Sequence, residues 1–64
     1  MDLGKAIKTM RVSKGLTQRQ LGKAIGCSET NMLVMETGKT LPRKSSIDAI
    51  CKVLEIPMSY LLMF

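Results

Sequence analysis

Four hydrogen-bond donors, three of them cationic, fall within six residues at Lys39, Thr40, Arg43 and Lys44, and Lys14 and Arg19 add two more cations earlier in the chain. Side chains of this kind suit phosphate oxygens, whose contacts position a protein on a nucleic acid without reading its sequence. Ten Lys and Arg against five Asp and Glu give a net charge of +5, which favours a polyanionic partner. The same inventory is poor material for catalysis. None of the 64 residues is a histidine, so there is no imidazole to act as a base or metal ligand near neutral pH. The few carboxylates form no pair flanking a plausible cleft for acid-base chemistry. A chain of this length buries only about 60% of its unfolded surface, which leaves no room for a catalytic cavity beside the core. No enzyme activity, metal or cofactor is expected.

Cys27 and Cys51 lack metal-site or redox-motif spacing, and no apolar N-terminal segment suggests export. Both read as small apolar fillers of a core in a reducing, cytoplasmic setting. No stretch is long or apolar enough to span a bilayer. With no repeat, linker or low-complexity tract, residues 1–64 read as one domain.

The elements that would carry the cationic residues are short helices. Asp2 begins a first helix whose apolar residues Leu3, Ala6, Ile7 and Met10 recur at helical spacing, and it ends near Lys14 and Gly15. Thr17 can cap a second helix, about Gln18 to Ile25, with Gln20 returning the hydrogen bond and Leu16 and Leu21 at staple positions. Leu21, Ala24 and Ile25 should turn inward. Gly26 suits a positive backbone angle, Ser28 can cap a third helix of about Glu29 to Thr37, and Gly38 stands where a left-handed C-cap would. Cys27 and Met32 repeat the staple spacing, and Met32 and Met35 face the core. A basic loop runs from Lys39 to Lys44. Pro42 forbids continuation, and Ser45 or Ser46 can cap a fourth helix burying Ile47, Ile50, Cys51 and Leu54. Pro57 opens a short fifth helix containing Leu61 and Leu62. The chain therefore reads as all-α, with five helices and no strand.

Two helices separated by only a few residues at 17–37 must cross steeply, leaving one side of the second presented outward: a helix-turn-helix. These residues resemble the DNA-binding domain of the phage Cro and repressor proteins, the Cro/cI or XRE-like family. The resemblance is carried by Leu16-Thr17-Gln18, Leu21, Ile25-Gly26, Ser28, Met32, Met35-Glu36 and Gly38-Lys39, then Pro42 and the stretch Ile47 to Leu62. It covers nearly the whole chain and implies a five-helix, lambda-repressor-like domain that binds double-stranded DNA.

In a helix-turn-helix the second helix enters the major groove while its partner crosses the backbone. With Ser28 as cap, the helical repeat places Glu29, Thr30, Leu33, Val34 and Thr37 opposite Met32 and Met35, as candidate base readers. The resemblance implies base contacts at Glu29, Thr30 and Val34. A glutamate can accept from the cytosine amino group, whereas Leu33 and Val34 can only touch thymine methyls or another protein. Gln18 sits at the head of the second helix, where its side chain and the free N–H groups suit a phosphate. Lys14, Arg19, Ser28, Lys39, Thr40, Arg43 and Lys44 complete the candidate backbone contacts, and the resemblance implies phosphate binding at Gln18 in particular. It also implies a structural salt bridge between Arg11 and Glu36. Gly22 departs from the alanine usual in the family, at a cost of up to about 1 kcal/mol of helix stability, in exchange for close approach of the two helices.

Met58, Tyr60, Met63 and Phe64 exceed what so small a core can bury and mark a surface for a second copy. The reading that follows is a sequence-specific DNA-binding regulator, a repressor binding a palindromic operator as a homodimer. Its competitor is a protein-interaction module on the same fold, antitoxin- or anti-repressor-like, that offers Leu33 and Val34 to a protein partner. A basic amphipathic peptide for membrane surfaces fits less well with the distributed caps.

Overall fold

The computed structural model describes residues 3–61. Five helices follow one another: α1 Leu3–Ser13, α2 Gln18–Ile25, α3 Glu29–Glu36, α4 Lys44–Leu54 and α5 Met58–Leu61. Among the described residues there is no strand. The proposed start at Asp2, the place of Leu62 in the fifth helix and the copy-copy roles of Met63 and Phe64 lie outside the described residues.

The fold follows from which face each helix must hide. Ala6, Ile7, Leu21, Met32, Ile50, Leu54 and Leu61 are wholly inaccessible, and they come from all five helices, so a single core closes only when every helix is docked. The α2 helix lies against α3 and α4, while α1 bridges α3, α4 and α5. Leu16, Ile25, Cys27, Ile47, Ile56 and Met58 pack against this centre from its rim. Met10 and Met35 join the core, where an unbranched thioether fills irregular space.

Three expectations need correction. Ala24 is exposed, and Gly22 takes its place on the buried face of α2. The inward arc of that helix is centred between Leu21, Gly22 and Ile25, which leaves Ala24 on its flank. Thr37 follows the last residue of α3 as its C-cap, with Gly38 left-handed at φ +79° beyond it. Neither Ser45 nor Ser46 caps α4: the N-cap is Arg43, with no side-chain hydrogen bond, so Lys44 is helical and the serines sit in the first turn. Beyond Leu54, Glu55 closes α4 as a C-cap in the left-handed region, φ +58°, a conformation that costs a residue with a Cβ roughly 1 kcal/mol or more.

Two glycines set how closely helices approach. A Cβ on Gly4 would overlap the Met35 carbonyl oxygen and lie 2.9 Å from that of Glu36, so α1 rests directly on the last turn of α3. A Cβ on Gly22 would lie 2.8 Å from the Cys27 oxygen and 3.0 Å from Met32 Cγ. The departure from alanine at Gly22 is thereby explained: the turn and α3 are seated against the bare backbone of α2.

Candidate nucleic-acid interface

The helix-turn-helix is fixed first by its ends. Thr17 Oγ1 accepts from Gln20 N–H at 3.0 Å while Gln20 Oε1 accepts from Thr17 N–H at 2.9 Å, a complete capping box. At the other end Gly26 takes φ +81°, and Cys27 N–H donates to the Gly22 carbonyl at 2.7 Å. Ser28 Oγ then accepts from Asn31 N–H at 3.1 Å and starts α3. Three residues therefore reverse the chain with its hydrogen bonds accounted for.

The inner face of α3 is locked by a charged network. Glu36 Oε2 accepts from Arg11 Nε at 2.8 Å, and Glu36 Oε1 accepts from Arg11 Nη2 at 3.2 Å and from Gln18 Nε2 at 3.0 Å. Arg11 Nη1 donates to the Leu16 carbonyl at 2.6 Å, tying in the α1–α2 loop. The side chains are only 10% and 2% exposed, so the pair is bidentate and almost dry. Removing one partner of such a pair costs about 3–5 kcal/mol, because the other charge is left buried alone. The network joins α1, α2 and α3 at one carboxylate and so sets how α3 sits against the domain. Gln18, expected at a phosphate, spends an amide hydrogen on Glu36, which fixes its side chain at the head of α2.

The outer face carries the five candidate readers. Glu29, Thr30, Leu33 and Thr37 are exposed, with Leu33 at 49%, whereas Val34 is half-buried. Val34 is partly covered because the loop after α3 returns alongside it: Val34 shares an open cleft with Cys27, Asn31, Leu41, Arg43 and Ser46. Thr37 Oγ1 donates to the Val34 carbonyl at 3.1 Å, which uses its hydrogen within the helix. Lys14, Arg19, Ser28, Lys39, Thr40, Arg43 and Lys44 are all exposed. Of the residues assigned to a copy-copy contact, Tyr60 is 44% exposed and Met58 packs on the rim of the core.

Two features escaped the sequence reading. Asn31 is exposed in the first turn of α3 and lines the same cleft as Val34. Its amide type was the available signal, since asparagine matches the donor and acceptor edge of adenine. The second is the head of α4, where the missing side-chain cap leaves the first N–H groups open to an anion beside Arg43 and Ser46. The thiols, by contrast, are quiet. Burial pushes the Cys27 thiol above its ordinary range, and burial reinforced by the Asp48 carboxylate does the same to Cys51. No helix among the described residues is long and apolar enough to cross a membrane.

This geometry has known counterparts. Residues 2–58 match a family described as a helix-turn-helix domain. The "ImmF control region 10 kDa protein" of Bacillus phage phi105 is 33% identical over 61 residues, covering 95% of this chain and 68% of that protein. Among solved structures, the clp gene regulator ClgR of Corynebacterium glutamicum superposes with a TM-score of 0.94 at 26% identity, over 97% of this chain and 66% of that one. This chain therefore spans just under two thirds of that ClgR chain. The P22 c2 repressor protein, solved with a synthetic operator, gives a TM-score of 0.86 at 28% identity, over 95% of this chain and 92% of that one. PlcR of Bacillus thuringiensis, solved with a peptide and DNA, gives 0.86 at 34% identity, over 95% of this chain but 21% of its own. With its capped turn, locked inner face and these relatives, the chain belongs to the helix-turn-helix DNA-binding regulators of the phage repressor, XRE-like type.

Proposed function

We propose that the chain is a sequence-specific transcriptional repressor of the cytoplasm that binds a roughly palindromic operator as a homodimer and performs no catalysis. The observation that carries this reading is the contrast across α3: Met32, Met35 and Glu36 are buried, while Glu29, Thr30 and Leu33, with Thr37 at its C-cap, are exposed. A short helix gripped from behind and bare in front suits insertion into a major groove. Glu29 would accept from a cytosine amino group, Thr30, Leu33, Val34 and Thr37 would meet base edges and thymine methyls, and Asn31 would pair with adenine. Gln18, the N–H groups heading α2, and Lys14, Arg19, Ser28, Lys39, Thr40, Arg43 and Lys44 would hold phosphates. Met58 and Tyr60, with Met63 and Phe64, would join two copies whose α3 helices lie about 34 Å apart.

The test is selection of bound duplexes from a random pool, followed by titration across a salt series. A two-fold symmetric consensus is expected. Affinity should fall about a thousandfold or more between about 50 and about 200 mM salt for a protein making several phosphate contacts. An unselected pool, or affinity flat with salt, would remove the proposal.

A second reading, that the outer face of α3 serves a protein partner, draws on one observation: Leu33 is half exposed on that face. Replacing Leu33 and Val34 by Ser separates the two. Lost operator preference supports DNA readout, and intact DNA binding with a lost protein partner supports the alternative.

A further inference from the structure

Leu41 is 86% exposed, more than the other large apolar side chains described as exposed. A lone surface leucine needs no explanation. What distinguishes Leu41 is its placement. It stands on a ridge between two open clefts, one shared with Val34, Arg43 and Ser46, the other with Gly4, Thr37 and Gly38. Lys39 precedes it, Arg43 and Lys44 follow it, and Pro42 stiffens the chain beside it. An apolar tip framed by three cations is therefore held out from the loop that leaves α3, on the side where Val34 borders the same cleft.

The eight residues of α3 extend about 12 Å, close to the width of the major groove. Chain leaving the end of such a helix meets the phosphate wall, and beyond that wall lies the minor groove. Lys39, Arg43 and Lys44 can pair with the wall. Leucine has nothing to offer a phosphate, but it can lie against sugar edges or press between base pairs, where apolar wedges partly unstack a step and bend the duplex. Resting on the DNA-binding reading above, we propose that Leu41 is such a wedge: it contacts the minor-groove edge beside each half-site and makes affinity depend on how easily that step deforms. Specificity then arises at a position α3 does not touch.

The experiment uses the full chain and two duplexes with the same selected half-sites. They differ only in the flanking step on the loop side, TA or CA in one and AA in the other. Wild type is expected to prefer the flexible duplex about tenfold. Leu41→Ala should bind both duplexes alike, and Leu41→Lys should also lose the preference while its affinity becomes more salt-sensitive. An unchanged preference in Leu41→Ala, or none in wild type, overturns the wedge and leaves DNA binding standing. If Leu41→Ala weakens association between copies in sedimentation without DNA, the leucine belongs to a copy-copy contact and the inference is also overturned. Failure of wild type to bind either duplex removes the DNA-binding reading, and the wedge with it.

Discussion

The α2–α3 pair and the α4–α5 pair are built to different tolerances. Thr17, Gln20 and Ser28 close the starts of α2 and α3 with side-chain hydrogen bonds, and a glycine at φ +81° ends α2. By contrast, α4 begins at an Arg43 that caps nothing and ends at a left-handed glutamate. The first pair also holds the Arg11–Glu36–Gln18 network, whereas the second rests on apolar burial at Ile50, Leu54 and Leu61. Burial fixes that a helix docks, while directional bonds fix how it is turned. The directional bonds are concentrated where the orientation of α3 matters, and the looser half leaves the head of α4 without a side-chain cap.

The comparison is broken most severely at Glu36. Glu36→Ala should cost about 3–5 kcal/mol, against a stability of roughly 3–5 kcal/mol for a domain of this size, leaving it largely unfolded by circular dichroism. A double change to Arg11→Met with Glu36→Leu should recover much of the loss, and a well-folded Glu36→Ala would show that the network does not hold α3. Next comes Gly4→Ala, which drives a methyl into the carbonyls ending α3. A loss of about 2 kcal/mol in urea denaturation is expected from such overpacking. Arg43→Ser tests the looser half, since a serine N-cap should raise stability by about 1 kcal/mol in the same measurement. The same change should lower the slope of log affinity against log salt by about 1, so stability and DNA binding move in opposite directions. Smallest is Glu55→Gly, which relieves the left-handed backbone and should add about 0.5 kcal/mol, visible as a small rise in midpoint.

What was legible in the sequence was local. The Thr17–Gln20 box, the Ser28 cap and the left-handed glycines each depend on residues within four positions of one another, so spacing alone exposes them. The Arg11–Glu36 pair spans 25 positions and came only through family resemblance. Gln18 reaching the same carboxylate, and Gly4 bearing on Met35, depend on distances between helices that no local pattern encodes. Ala24 was misplaced because an eight-residue helix offers too few turns to fix its inward arc within one residue. The serines of α4 misled for a related reason: Arg43, Ser45 and Ser46 stand close enough together that each could be the N-cap, and Arg43 takes the position without a side-chain hydrogen bond.

The brevity of α3 limits how much information one copy can extract. A rod of eight residues with five outward side chains addresses about four or five base pairs, a word that recurs by chance about once per 10³ positions, while genomes offer about 10⁶ or more competing sites. A lone domain would thus be diluted across thousands of equivalent addresses. Whatever multiplies its discrimination, by doubling the word or by weighing the stiffness of its margins, contributes as much to finding one locus as the letters α3 spells.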